Sequence, residues 1–77
     1  MIEKIYEILE ECCPDIDFRG EEHLIDDGLL ESLDIVMIVN ELSEQFDVRI
    51  GVDNLVPENF NSAKSMMALV EKLQGEE

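Results

Sequence analysis

Between Ser32 and Phe46 the side chains Ile35, Ile38, Val39, Leu42 and Phe46 recur at i, i+3, i+4, i+7 and i+11. On a helix that spacing lays them along one side, whereas on a strand, with its alternating faces, they would scatter to both. The segment is therefore read as a helix from about Ser32 to Phe46, with Val36 broadening the stripe. Its opposite face carries Leu33, Met37, Asn40, Glu41 and Glu44. Two apolar residues among those five are more than a plainly solvated face needs.

Two further helices follow from the same periodicity. Ile2, Ile5, Leu9 and Cys12, with Ile8 and Cys13 alongside, mark one from about Ile2 to Cys13, which Pro14 stops. Met66, Leu69, Val70 and Leu73 mark another from about Ala63 to Leu73, with Ser62 as its N-cap and Gly75 ending it. Residues 14–31 form a long connection punctuated by Pro14, Gly20 and Gly28 and pinned by Phe18, Leu24 and Ile25. Loops of this length in small domains are uncommon and usually functional. Asp47 to Gly51 breaks the second helix; Val48 and Ile50 resemble a strand but have no partner strand. Within the connection 52–60, Pro57 suits the first turn of a short helix. The expected fold is all-α, a small bundle of three to four helices in a single domain over 1–77.

Charge and size narrow the function. The chain has 77 residues, 20 of them acidic and 5 basic, for a net charge of −15. Phosphate backbones are bound by clustered Lys and Arg, so nucleic acid is excluded as a partner and basic protein surfaces are favoured. A radius of gyration of roughly 11–12 Å leaves little room for an enclosed catalytic site, which argues against an enzyme. With 45% hydrophobic residues the chain can still build a core. Its self-repulsion predicts a stability that improves with salt. The longest apolar run, Ile35 to Val39, is far short of the roughly 20 residues of a membrane span. The acidic, amphipathic N-terminus is no signal peptide. Cys12 and Cys13 are sequence neighbours that do not face each other on a helix, and they read as reduced, half-buried thiols of a cytoplasmic protein.

Three constellations carry candidate chemistry. Asp15, Asp17 and Gly20, with Asp26 eleven residues after Asp15, partly match a calcium loop. Arg19, however, stands where an acid belongs, and Asp26 is shorter than the bidentate Glu required. A serine hydrolase built on Ser32 would need His23, the sole histidine, as its base, and the Gly-x-Ser-x-Gly elbow is absent. The third is Asp26-Asp27-Gly28-Leu29-Leu30-Glu31-Ser32-Leu33-Asp34, where the glycine permits a turn, Leu29 and Leu30 can anchor it, and Ser32 falls in the first turn of the helix. Ser32 then has two readings. As N-cap, its oxygen would meet an orphan backbone N–H. Alternatively, the free N–H groups and positive dipole end of the helix suit a serine that carries a phosphate ester.

From Gly28 to Asp34, and onward through Val36, Val39, Leu42, Glu44, Phe46, Asp47 and Ile50, the sequence resembles the acyl carrier and peptidyl carrier proteins. The likeness takes in the first and last helices and so spans the chain. Gly28-Leu29-Leu30-Glu31-Ser32 is closest in style to D-alanyl carriers and other stand-alone specialised carriers. The beginning at Met1 and the Glu-rich end fit a stand-alone chain. Glu31 stands where many members have Asp, Gly51 where proline is frequent, and Met37 where fatty-acid carriers often have an acid.

The resemblance implies a 4'-phosphopantetheine arm attached to Ser32 by a phosphodiester, with an acyl or aminoacyl cargo held on the arm's thiol as a thioester. It implies a protein that itself catalyses nothing and docks through its second helix, here Glu31, Leu33, Asp34, Met37, Glu41 and Glu44. Implied partners are a phosphopantetheinyl transferase, an acyl- or aminoacyl-activating ligase, and acyl-transfer or biosynthetic enzymes. A cytoplasmic monomer without membrane insertion is expected. The alternative is an unmodified acidic helical domain that binds a basic protein surface.

Overall fold

The computed structural model describes residues 2–75. Met1, Glu76 and Glu77, on which the stand-alone expectation leans, lie outside the described residues. The chain forms α1 (Ile2–Cys12), α2 (Ser32–Phe46), a 3-10 turn (Val52–Asn54), α3 (Pro57–Phe60) and α4 (Ala63–Gly75). No strand occurs among the described residues, so Val48 and Ile50 belong to the loop that leaves α2. The architecture is the expected small all-α bundle.

Each long helix buries the side its periodicity marks. α1 contributes Ile5, Ile8 and Leu9 to the core, α2 Ile38 and Leu42, and α4 Ala63, Met66, Leu69 and Val70. α1 packs against both α2 and α4, and α3 packs against α4. Among the described residues no polar or charged residue is buried. All the acids described are therefore at least partly solvated, which is how a core forms under this net charge. The radius of gyration is 11.2 Å. No helix among the described residues is long and apolar enough to cross a membrane.

Four local expectations are corrected. α1 ends at Cys12, one residue early, although Cys13 N–H still reaches the Leu9 carbonyl at 2.8 Å. α4 includes Gly75 instead of stopping at Leu73. Val36 does not broaden the buried stripe; it is 54% exposed. Of the two leucines expected to anchor the loop, Leu30 is buried, whereas Leu29 is 39% exposed.

Caps explain where the helices begin and end. Ser62 Oγ accepts from Ser65 N–H at 3.1 Å, so Ser62 is the N-cap expected for α4. Pro57 is at the first position of α3, where no N–H is required. α2 exits through Asp47 in the left-handed conformation (φ 52°), and Val48 N–H turns back to the Ser43 carbonyl at 3.2 Å. Asp tolerates that conformation better than most residues.

The long connection between α1 and α2 is seated, not loose. Phe18, Leu24 and Leu30 drive into the core, and Ile25 is half-buried. Outside, Arg19 lies 4.4 Å over the Tyr6 ring, donates to Glu3 at 3.1 Å and stands 3.5 Å from Glu10. These contacts strap the loop onto α1.

Candidate functional site at the start of the second helix

The approach to α2 is a hydrogen-bonded turn. Asp27 N–H bonds to the His23 carbonyl (2.8 Å) and Gly28 N–H to the Ile25 carbonyl (3.0 Å). Gly28 has φ +72°, where a side chain would be strained. The chain then folds back, so that Leu29 and Leu30 N–H both meet the Leu24 carbonyl, at 2.9 and 3.1 Å. Leu30 is seated in the core and Glu31 extends (φ −100°, ψ 170°) into the helix.

Glu31, not Ser32, is the N-cap. Glu31 and Asp34 form a capping box whose well-formed arm runs from Glu31 N–H to Asp34 Oδ2 at 3.1 Å. Ser32 occupies the first helical position and is exposed. The capping role weighed for Ser32 is thus filled by its neighbours. The same geometry tempers the expected phosphate affinity, because two carboxylates already meet the positive end of the helix.

Of the anticipated docking residues, Glu31, Leu33, Met37 and Glu44 are exposed, and Asp34 and Glu41 are half-buried. Leu33 is the most open of these apolar side chains, at 77%. Met37 and Glu41 join Asn40 in lining a groove against Glu11 and Cys12 of α1. Burial pushes the Cys12 thiol up, helped by Glu41, Glu11 and Asp34. Burial, with Asp34 beside it, raises Cys13 to about 11. Both thiols are protonated at neutral pH and poor nucleophiles.

The sequence reading missed part of this surface. Val36, Val52, Leu55 and Val56 are exposed, Val52 at 84%. Leu55, Val56 and Pro57 also close, with Ile25, Ile35 and Phe60, an apolar cavity of about 160 Å³. Ile35 lies one turn beyond Ser32, so the cavity adjoins the site. The available signal in the connection 52–60 was Val52, Leu55 and Val56, but they carry no period by which to assign a face.

Side chains of the other two constellations meet local partners. Among the described residues no three His, Cys, Asp or Glu side chains converge on a metal position. Asp17 instead accepts from Arg19 N–H at 3.2 Å, and Asp26 from Asn61. His23 is exposed and stands 3.7 Å from Asp26.

No family model matches the chain, and no solved structure matches it. Curated relatives do. The D-alanyl carrier protein of Streptococcus sanguinis (strain SK36) is 31% identical over 72 residues, covering 92% of this chain and 91% of the relative. Those of Streptococcus gordonii (strain Challis) and Streptococcus thermophilus (strain ATCC BAA-491) are 29% identical over the same shares. A small helical carrier protein is the class that the bundle and these relatives define. The chain belongs to the family of the D-alanyl carrier proteins.

Proposed function

We propose that this protein carries an acyl or aminoacyl group as a thioester on a 4'-phosphopantetheine arm attached to Ser32. One observation supports the attachment point above the rest: Ser32 is exposed at the first position of α2, directly after a hydrogen-bonded turn, with the capping done by Glu31 and Asp34. Its backbone is held in the first turn of α2, and its side chain is exposed to an approaching enzyme. The residues fit the arm as a solvent-facing attachment point. The arm, when bound, supplies the thiol that forms the thioester. This chain supplies the hydroxyl that becomes the phosphodiester, and the surface that partners read.

That surface is Leu33, Val36 and Met37, flanked by Glu31, Asp34, Glu41 and Glu44. It suits partners with an apolar socket inside a basic rim, where the acids speed encounter and the apolar side chains slow release. The partners in this reading are a phosphopantetheinyl transferase, an activating ligase and the enzyme that accepts the cargo. The names of the relatives favour an aminoacyl cargo of the D-alanyl kind. The protein presents this cargo and leaves the chemistry to its partners. A cytoplasmic setting belongs to this reading.

Intact mass after incubation with coenzyme A and a broad-specificity phosphopantetheinyl transferase tests the reading. A gain of one phosphopantetheine, absent in Ser32→Ala, is expected. No gain from folded protein with active transferase would overturn it in favour of the unmodified acidic interaction domain.

A further inference from the structure

Asn61, at the junction of α3 and α4, belongs to none of the surfaces above, yet it grips the loop that delivers Ser32. Its Oδ1 accepts from Ile25 N–H at 2.9 Å and from Asp26 N–H at 3.1 Å. Its Nδ2 donates to Asp26 Oδ2 at 3.2 Å, and its carbonyl accepts from Leu24 N–H at 2.9 Å. Leu24, Ile25 and Asp26 open the turn before α2, and the first N–H groups of any helical turn lack partners within it. Asn61 therefore caps this turn from a distance of 36 residues in sequence. The bonds continue toward the site. The Leu24 carbonyl receives Leu29 and Leu30 N–H, Leu30 is buried, and Glu31 and Ser32 follow at once.

We infer that Asn61 is a positioning residue for Ser32, holding the turn that presents the hydroxyl for arm attachment. The inference rests on the carrier reading above. One side of Ser32 is fixed by α2; the other depends on residues 24–30 staying folded, and Asn61 ties those residues to the junction of α3 and α4. In loading, the Ser32 oxygen attacks the pantetheine-bearing phosphorus of the coenzyme A pyrophosphate, its proton passes to a base of the transferase, and the P–O bond to the departing adenosine 3',5'-bisphosphate breaks. Such an attack is sensitive to small misplacements, so loosening the turn slows loading without removing any group that reacts.

The amide of Asn61 offers two acceptor positions on Oδ1 and two N–H donors on Nδ2, one of which Asp26 takes, and its ionised partner Asp26 offers only acceptors. Asn61→Asp keeps the acceptor but sets a carboxylate against Asp26. Adding Asp26→Asn restores the missing donor from the opposite side and returns the net charge to its native value. The test compares wild type, N61A, N61D and N61D/D26N in the full chain. It reads amide hydrogen exchange in the unloaded protein and kcat and KM for loading by the transferase. N61A and N61D are expected to speed exchange at Asp27 to Leu30 while α1 stays protected. They should also lower kcat/KM about tenfold, chiefly through kcat. N61D/D26N should recover both readouts to within about twofold. Should N61A not fold, N61D against N61D/D26N carries the same comparison. Native loading by N61A, or a loss that the exchanged pair does not recover, would overturn the inference. If wild type takes no arm, the carrier reading falls and the positioning role with it, while exchange still reports separately on whether Asn61 holds the turn.

Discussion

Ser32 and Asp34 stand two residues apart and do different work. Asp34 closes the capping box, whereas Ser32 contributes no capping bond, so their alanine variants should separate stability from loading. Ser32→Ala is expected to change unfolding free energy by less than about 0.5 kcal/mol, the usual range for an exposed position. Asp34→Ala should cost about 1 kcal/mol through the lost cap. Urea unfolding followed by circular dichroism measures both. A cost at Ser32 equal to that at Asp34 would mean that the serine caps the helix after all.

At the scale of elements, α2 was legible because its stripe is local. Successive residues turn by about 100°, which gathers Ile35, Ile38, Val39, Leu42 and Phe46 on one side. The same turn sets Val36 roughly a quarter-circle from the stripe's centre, and this is why it faces outward. Ile38→Ala should therefore cost about 2–5 kcal/mol, and Val36→Ala less than about 0.5 kcal/mol. Urea midpoints decide the pair; equal losses would place Val36 in the core. Gly28 and the position of Ser32 at the head of α2 were readable for the same local reason. The Asn61 bonds were not, because they join residues 36 apart and a polar side chain leaves no periodic trace. The exposed Val52, Leu55 and Val56 escaped notice too, since their face is set by how the short 3-10 turn and α3 sit beside α2. The cap reading weighed for Ser32 followed its residue type, while the backbone placed the extended residue one position earlier, at Glu31.

For the molecule as a whole, the net charge of −15 acts over a radius of gyration of 11.2 Å. The screening length is about 30 Å at 0.01 M salt and about 8 Å at 0.15 M. At low salt every acid feels every other; at 0.15 M only neighbours interact. The melting temperature is expected to rise across that range of sodium chloride, as read by circular dichroism. A flat or falling response would show that the acids are already balanced by local partners. The same screening weakens attraction to basic partners, so KM for loading should rise as the fold is steadied. The Arg19 strap falls on the losing side of this exchange. Its ion pairs to Glu3 and Glu10 are exposed and weaken in salt, while the buried Phe18 beside them does not. Ionic strength thus tightens the bundle and slackens the outer edge of its loop at once. A higher melting temperature in salt would accompany a more pliant segment around Arg19, while the turn at 24–30, held by backbone and Asn61 hydrogen bonds, keeps the approach to Ser32 in place.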